Sequence, residues 1–187
     1  MRSSLTLSCV LRRIGRRSLH SLLLGAVVAL GIAAAPQTAS ARNMVAFSPD
    51  VQPGTIVISA HQRRLFYVVG PGVAISYPVA VPKRGKEWSG VTSVDGKYVN
   101  PDWTPPAAVK ADHPELPNLI PGGSPRNPMG VAALTLDRGE VAIHGTTSKM
   151  RASIGTAASY GCIRMLNEDV ADLYGRVSVG APVVMAP

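Results

Sequence analysis

Cysteine is scarce in this sequence, with two residues among 187. Cys9 lies in a basic N-terminal stretch that is interpreted below as a cleaved export signal, which would leave Cys162 alone in an oxidising compartment. A disulfide within the mature chain is then excluded. His61, His113 and His144 show no ligand spacing around Cys162, so we expect no metal site. Two interpretations of Cys162 remain, a buried unreactive thiol and a nucleophile.

The chain also lacks a hydrophobic run long enough for a comfortable transmembrane helix, which needs about 20 residues. Its most apolar stretch, residues 22–35, follows five arginines and precedes Ala39-Ser40-Ala41, a small-x-small cleavage pattern. This order predicts a signal peptide over residues 1–41 and a mature chain that begins at Arg42. The alternative is that the segment is kept as a membrane anchor.

A strong net charge is lacking once this signal is set aside. The formal charge of +8 includes five arginines within residues 1–41, where no acidic residue occurs. The remaining 14 basic and 11 acidic residues leave the mature chain at +3. No basic stripe suited to nucleic acid is present, so nucleic acid is excluded as a partner. A mildly basic exported domain suits a polyanionic surface such as a bacterial cell wall.

Glycine and proline, in contrast, are abundant, with 18 and 16 residues, and they favour a turn-rich fold over a helical bundle. Residues 42–54 are interpreted as a linker and residues 55–187 as one domain. Alternating or β-branched runs between turn signals predict a mainly β fold with a few short helices. The predicted strands are 55–60, 63–70, 73–81, 131–136, 140–145 and 181–187, and apolar spacing predicts a helix over 167–177, with Asn167 as its N-cap candidate.

Eight of the prolines fall within residues 98–130, which we call the proline-rich segment. No period of 2 or 3.6 survives there, so no regular element is predicted. Long structureless segments in compact domains usually act as lids or binding loops, and the alternative is a rigid surface excursion. We expect His113, inside this segment, to be solvated rather than catalytic.

His144 and Cys162 together indicate chemistry. A thiol with an ordinary pKa of about 8.5 is mostly protonated near neutral pH, and a neighbouring imidazole is the commonest means of obtaining thiolate. His144 ends a predicted strand and is followed by glycine, which suits a side chain that projects into a cleft. Amides around Tyr160, Gly161 and Cys162 could stabilise a developing oxyanion. Arg164 adds a cation near the thiol or forms a structural ion pair.

The stretch IHGTTSKMRASIGTAASYGCIRMLNEDVADLYGRVSVGAPVVM, residues 143–185, resembles the catalytic half of the L,D-transpeptidase family, the YkuD-type domain. The shared elements are His-Gly-Thr, an Ile-Gly step and Ser-x-Gly-Cys-Ile-Arg-Met, in this order. The likeness runs from about Thr55 to the C-terminus. GTIVISAHQRRLFYVV resembles the opening hairpin of the family, and DWTPP and PGGSPRNPMG resemble segments of its Gram-negative members.

The resemblance implies a β-sandwich or barrel-like periplasmic domain that acts on peptidoglycan stem peptides without a metal or an organic cofactor. Cys162 would attack the carbonyl of the diaminopimelate at position three of a tetrapeptide stem and release D-Ala, with His144 as proton acceptor and donor. Transfer of the thioester to an amine of a second stem would form a 3→3 cross-link. Carbapenem-type β-lactams would inhibit covalently. The accessory oxyanion or substrate-binding residues would be Gly145, Thr146, Ser159, Tyr160, Gly161 and Arg164.

Two departures from the family pattern qualify this expectation. Tyr160 stands where the family usually has histidine, and tyrosine does not titrate near neutral pH, so acceptor handling or rate would differ. Residues 88–96 replace a Thr-Pro-x-Gly-type segment and are expected to form a variant loop.

Three alternative functions remain open. With water as the acceptor the protein would be an L,D-carboxypeptidase, and with an outer-membrane protein as the acceptor or leaving partner it would attach or release that protein. A non-catalytic wall-binding protein is the alternative from another class.

Overall fold

The computed structural model describes residues 43–187, and the predicted signal peptide with its cleavage point lies outside the described residues. Within this range no helix is long and apolar enough to cross a membrane. The strands are β1 (Met44–Ala46), β2 (Ile56–Ser59), β3 (Arg64–Gly70), β4 (Val73–Pro82), β5 (Gly90–Val99), β6 (Ala132–Leu136), β7 (Ala142–His144), β8 (Ala157–Ser159), β9 (Ile163–Met165) and β10 (Pro182–Ala186). The helices are α1 (Ala107–Asp112), α2 (Asn167–Arg176) and a 3-10 helix (Ser148–Ser153).

Eight of these strands form a closed ring in the order β4-β3-β2-β10-β5-β6-β7-β9. β9 pairs with β4 and completes the ring, while β1 and β8 pair with β4 outside it. The predicted mainly β fold with few short helices is confirmed, and the sheet takes the barrel-like form. β10 joins in parallel with β2, so the last strand of the chain lies beside the first strand of the ring.

Alternating side chains fill the interior of the barrel. Ile56 and Ile58 of β2 are fully buried, and burial of each contributes about 1.5–3 kcal/mol. α2 lies against β6 and β7 with Val170 and Leu173 buried, and Val177 closes the same face. The apolar helix face that the sequence spacing predicts is therefore confirmed.

The expected loop over residues 88–96 is wrong, because most of it belongs to β5, which pairs with β10 on one side and β6 on the other. Val94 is the only deeply buried side chain of this strand, so its alternation is faint in the sequence. Pairing on both sides supplies backbone hydrogen bonds that local composition does not reveal. The predicted linker 42–54 likewise contains β1, whose pairing with β4 depends on a partner outside that stretch.

The proline-rich segment is irregular, as predicted, between the end of β5 and β6, apart from the short helix α1. Its ends are nevertheless fixed. Trp103 and Ile120 form an antiparallel bridge, and the buried Asn127 amide donates to the carbonyls of Pro101, at 2.8 Å, and Ile120, at 3.1 Å. The segment is therefore an ordered excursion, and it also forms a wall of the cavity described next.

Candidate active site

Two short parallel strands, β7 and β9, position His144 and Arg164, and Cys162 directly precedes β9. Ile143 is in register with Ile163, and His144 is in register with Arg164. Both isoleucines are fully buried in the core, and side chains alternate along a strand, so the neighbouring residues face the opposite side. His144, Arg164 and Cys162 consequently share one face.

This face forms the wall of a cavity of about 490 Å³. The turn before β7 contributes Glu140, and the proline-rich segment covers the cavity with side chains that include His113 and Arg126. The predicted site residues that line it are His144, Ser159, Tyr160, Cys162 and Arg164. The other three predicted site residues, Gly145, Thr146 and Gly161, are not among the described residues that line the cavity. The structure therefore brings five of the eight predicted site residues together at the cavity surface.

His144 is only 5% exposed, and its Nδ1 donates a hydrogen bond of 2.8 Å to the carbonyl of Gly145. A carbonyl can only accept, so this contact places the ring hydrogen on Nδ1 and leaves Nε2 able to take a proton. Burial is the main cause, and the nearby Arg164 cation the second, of a pKa of His144 that is lowered from 6.5 to about 4. Hydrogen bonds to the carbonyls of Gly145 and Pro128 act in the opposite direction and raise this pKa. The imidazole is therefore neutral at physiological pH.

Cys162 is partly buried, and its thiol donates to the carbonyl of Glu140 at 3.6 Å. Burial raises the pKa of this thiol, and the carboxylate of Glu140 acts in the same direction. The backbone amide of Ala142 and the charge of Arg164 oppose the shift. The resting thiol is therefore protonated at neutral pH, with a cation close enough to stabilise the thiolate once it forms.

Arg164 is 9% exposed, and its Nη1 donates to the hydroxyl of Ser153 at 2.7 Å. Its Nε is buried and has no hydrogen-bond partner among residues 43–187. A buried donor without a partner is costly, and a ligand oxygen would satisfy it. The guanidinium therefore lies at the cavity beside the thiol with one of its buried donors unpaired.

The turn between β8 and β9 holds Cys162 in place. The Ser159 hydroxyl donates to the carbonyl of Cys162 and accepts from the amide of Gly161 at 3.4 Å. Gly161 has a φ of 135°, which favours glycine, and its carbonyl accepts from the indole of Trp88 at 2.8 Å. Sequence reasoning missed Trp88 as a support of this turn, because the contact spans 73 residues.

Tyr160 connects this turn to the proline-rich segment. Its hydroxyl donates to Asp112 at the end of α1, at 2.6 Å, and Lys83 lies 3.5 Å from the same carboxylate. The Lys83 ammonium also sits 3.5 Å from the centre of the Tyr160 ring. The hydrogen bond from Tyr160 lowers the pKa of Asp112. Asp112 and Lys83 were also missed, since each is an ordinary surface charge in the sequence.

No three histidine, cysteine, aspartate or glutamate side chains cluster as a metal site within the part of the chain that the structure describes. His113, which the sequence suggested to be solvated, is exposed and lies 3.5 Å from Glu115. It also lines the cavity rim through its position in the proline-rich segment.

The sequence and the fold both resemble known proteins. Residues 53–185 match the family model described as the L,D-transpeptidase catalytic domain. The chain is 38% identical over 144 residues to the probable L,D-transpeptidase YbiS of Escherichia coli strain K12. This match covers 72% of the chain and 45% of YbiS, so the chain spans less than half the length of this curated relative.

Solved structures with the same fold include an L,D-transpeptidase from Mycobacterium smegmatis, with a TM-score of 0.57 and 19% identity, covering 71% of this chain and 58% of that one. A second is L,D-transpeptidase 3 from Mycobacterium tuberculosis in complex with a faropenem-derived adduct, with a TM-score of 0.55 and 15% identity. That match covers 71% of this chain and 60% of the other. At identities of 19% and 15%, these similarities show a shared fold and nothing further.

Proposed function

This chain belongs to the family of L,D-transpeptidase catalytic domains, and we propose that it transfers acyl groups between peptidoglycan stem peptides through Cys162. The observation that carries the proposal is the placement of Cys162, Arg164 and His144 on one face of the cavity. A nucleophile and a neutral base are the groups that thioester formation requires, and the nearby cation stabilises the thiolate. The cavity volume of about 490 Å³ is in the range that holds a small ligand or a peptide end.

In the first half-reaction the sulfur of Cys162 bonds to the carbonyl carbon of the third stem residue, a diaminopimelate, while His144 takes the thiol proton. The C–N bond to D-Ala then breaks, and the imidazolium returns the proton to the leaving amine. Because the pKa of His144 is about 4 and that of the thiol is raised, the resting pair is neutral. The proton therefore moves during the attack, after the thiol has turned from the Glu140 carbonyl towards the imidazole.

In the second half-reaction the side-chain amine of another diaminopimelate attacks the thioester. His144 accepts a proton from this amine as the new C–N bond forms. The C–S bond then breaks, and the imidazolium gives its proton to the departing thiolate, which restores the thiol and the neutral imidazole. The product is a 3→3 cross-link. Arg164 stabilises the departing thiolate.

Incubation of the purified protein with tetrapeptide muropeptides, followed by mass analysis, tests this function. Cross-linked dimers with loss of one D-Ala are the expected product. Tripeptide alone would show that water is the acceptor, and a protein fused to the stem would require an outer-membrane acceptor to be supplied. Absence of any conversion, together with absence of an acyl-enzyme, would support the non-catalytic alternative.

Carbapenem-type β-lactams provide a second readout of the same site. Attack of Cys162 on the strained lactam carbonyl breaks the ring C–N bond and leaves the whole drug attached as a thioester. The expected mass increase is that of one intact carbapenem, located on Cys162 by peptide mapping. This reaction needs no acceptor, so it reports on the acylation step separately from the transfer step.

Tyr160→Phe tests the connection between the catalytic turn and the proline-rich segment. The variant loses the hydrogen bond to Asp112 but keeps the ring beneath Lys83. Because this bond is exposed to solvent, acylation by carbapenem should slow by about threefold to tenfold, the value of one ordinary hydrogen bond. Tyr160→His should retain or raise activity, because histidine is the residue that the resembled family usually has at this position. Tyr98→Phe, on exposed β5, is the matched control. A folded Tyr160→His protein that no longer acylates would show that tyrosine has a role of its own.

We also propose that the protein is exported to the periplasm by the signal peptide predicted over residues 1–41. The support is the order of basic residues, apolar run and Ala39-Ser40-Ala41. Peptidoglycan lies in that compartment, which agrees with the proposed substrate. The mass of the protein recovered from the periplasmic fraction should correspond to a chain that starts at Arg42.

A further inference from the structure

Asn167 begins α2, where the sequence suggests a helix N-cap, but the structure uses its side chain elsewhere. Leu166 occupies the capping position, and it makes no side-chain capping bond. The Asn167 Oδ1 instead accepts from the backbone amide of Thr146 at 2.9 Å and from that of Val131 at 3.4 Å. The side chain therefore joins α2 to two segments that are distant in the sequence.

The packing around this side chain is close. A Cβ atom built on Gly145 would lie 2.3 Å from Asn167 Oδ1, and one built on Gly130 would lie 2.2 Å from it. Gly130 also has a φ of 68°, which favours glycine. The asparagine amide thus occupies the space that a side chain at either glycine would need, and it fixes the distance between the segments before β6 and after β7.

One peptide unit connects Asn167 to the imidazole. The amide that donates to Asn167 Oδ1 belongs to Thr146, and the carbonyl that accepts from His144 Nδ1 belongs to Gly145. These two groups are the opposite ends of the same planar peptide. Holding its N–H therefore sets the direction of its C=O, and accepting from the N–H strengthens the carbonyl as an acceptor.

We propose that Asn167 is a positioning residue for His144, which it orients through the peptide between Gly145 and Thr146. The carbonyl of that peptide keeps the hydrogen on Nδ1 and Nε2 free for the thiol proton. Asn167 is not among the described residues that line the cavity, so it acts on the chemical step and not on ligand binding. The inference rests on the proposed function, in which His144 is the base.

The first test is Asn167→Leu, which keeps the approximate size and removes the acceptor. The rate constant for carbapenem acylation should fall about 10- to 100-fold, the effect of misplacing a catalytic group by about 1 Å, while the drug concentration that gives half-maximal rate stays unchanged. Thermal unfolding and near-UV circular dichroism establish that the variant is folded.

Asn167→Asp is the second variant and keeps an acceptor for the Thr146 amide. Its carboxylate adds a negative charge one peptide away from the imidazole, so it should raise the pKa of His144. In the pH profile of the acylation rate, the loss of rate in acid should then begin at a higher pH. The rate near pH 7 should be preserved. The other charged or titratable groups around His144 are unchanged in this variant. They are Tyr160 and Cys162 of the turn before β9, Arg164 of β9, Glu140 of the turn before β7, and His113 and Arg126 of the proline-rich segment. Asn118→Asp, on the exposed surface, adds the same charge and should leave the profile unaltered.

NMR titration of the His144 ring in these proteins gives a readout that does not depend on activity. A higher His144 pKa in Asn167→Asp than in wild type and in Asn118→Asp supports the inference. A folded Asn167→Leu protein with the wild-type rate constant, or an Asn167→Asp protein with an unchanged His144 titration, overturns it. Wild-type protein that forms no adduct would overturn the proposed function instead, and the titration would still decide the role of Asn167.

Discussion

Cys162→Ala should abolish both the carbapenem adduct and every acyl-transfer product, a loss on the order of 10⁶-fold for a covalent nucleophile. Cys162 supplies the atom that bonds to the substrate carbonyl, and no other cysteine is present in residues 43–187. Mass spectrometry of the intact protein after incubation with carbapenem, and of muropeptides after incubation with the enzyme, measures the effect.

The fold should tolerate this change. Cys162 is partly exposed and contributes one weak hydrogen bond, from its thiol to Glu140, so the free energy of unfolding should change by about 1 kcal/mol or less. Cys162→Ser is the closer control of shape, with a much poorer nucleophile in the same place. A folded Cys162→Ala protein that still yields cross-linked product would end the thioester mechanism.

His144→Gln should lower the acylation rate at neutral pH by about 10²- to 10⁴-fold, the usual contribution of a general base. In wild type the neutral imidazole takes the proton, and its pKa of about 4 means that acid inactivates this base only near that pH. In the variant the reaction depends on thiolate alone. Because burial raises the pKa of Cys162, thiolate is scarce at neutral pH and increases tenfold per pH unit.

The size of the defect should therefore depend on pH. Acylation by His144→Gln should rise steadily with pH and approach the wild-type rate in alkaline solution, whereas wild type should stay active across the neutral range. His113→Gln, which changes a histidine at the same cavity, is the matched control and should remain within a few-fold of wild type. Equal pH profiles for wild type and His144→Gln would exclude His144 as the base.

The same variant tests the burial of His144 through stability. The folded state holds this imidazole with its pKa lowered from 6.5 to about 4, so the unfolded chain binds the proton more readily. The associated stability is complete above pH 6.5 and declines as the pH falls towards 4, by on the order of 3 kcal/mol. Denaturant unfolding of His144→Gln should lack this component in that pH window.

Local sequence patterns were sufficient for the elements that follow simple alternation. The hairpin strands β2, β3 and β4 and the face of α2 with Val170 and Leu173 were predicted within one or two residues, because burial of alternate or i, i+3 positions determines those patterns. β5 was missed, since Val94 is its only deeply buried side chain and its formation depends on neighbours on both sides. β1 was missed because none of its side chains is buried and its pairing partner β4 lies outside that stretch of the sequence.

For the candidate site, the sequence predicted the reactive residues but not the residues that support them. The sequence pointed to Cys162, His144 and Arg164 because nucleophile, base and cation are chemically distinctive residue types, and their order resembles a known family. The supports of these residues were not visible. In the sequence, Asn167 is indistinguishable from an ordinary helix cap and Asp112 from an ordinary surface charge. Only the fold shows that Asn167 bonds to the Thr146 amide and that Asp112 bonds to the Tyr160 hydroxyl.

The sequence by itself determined the mainly β class, the reactive residue types and the family that they resemble, because burial and chemical identity are properties of single positions and short spacings. The tertiary structure alone decided the ring closure through β9 and β4, the pinning of Tyr160 by Asp112, and the peptide that links Asn167 to His144. Each of these depends on contacts between residues far apart in the chain. Such contacts form only when the burial of the whole core brings their segments together, so no local pattern encodes them.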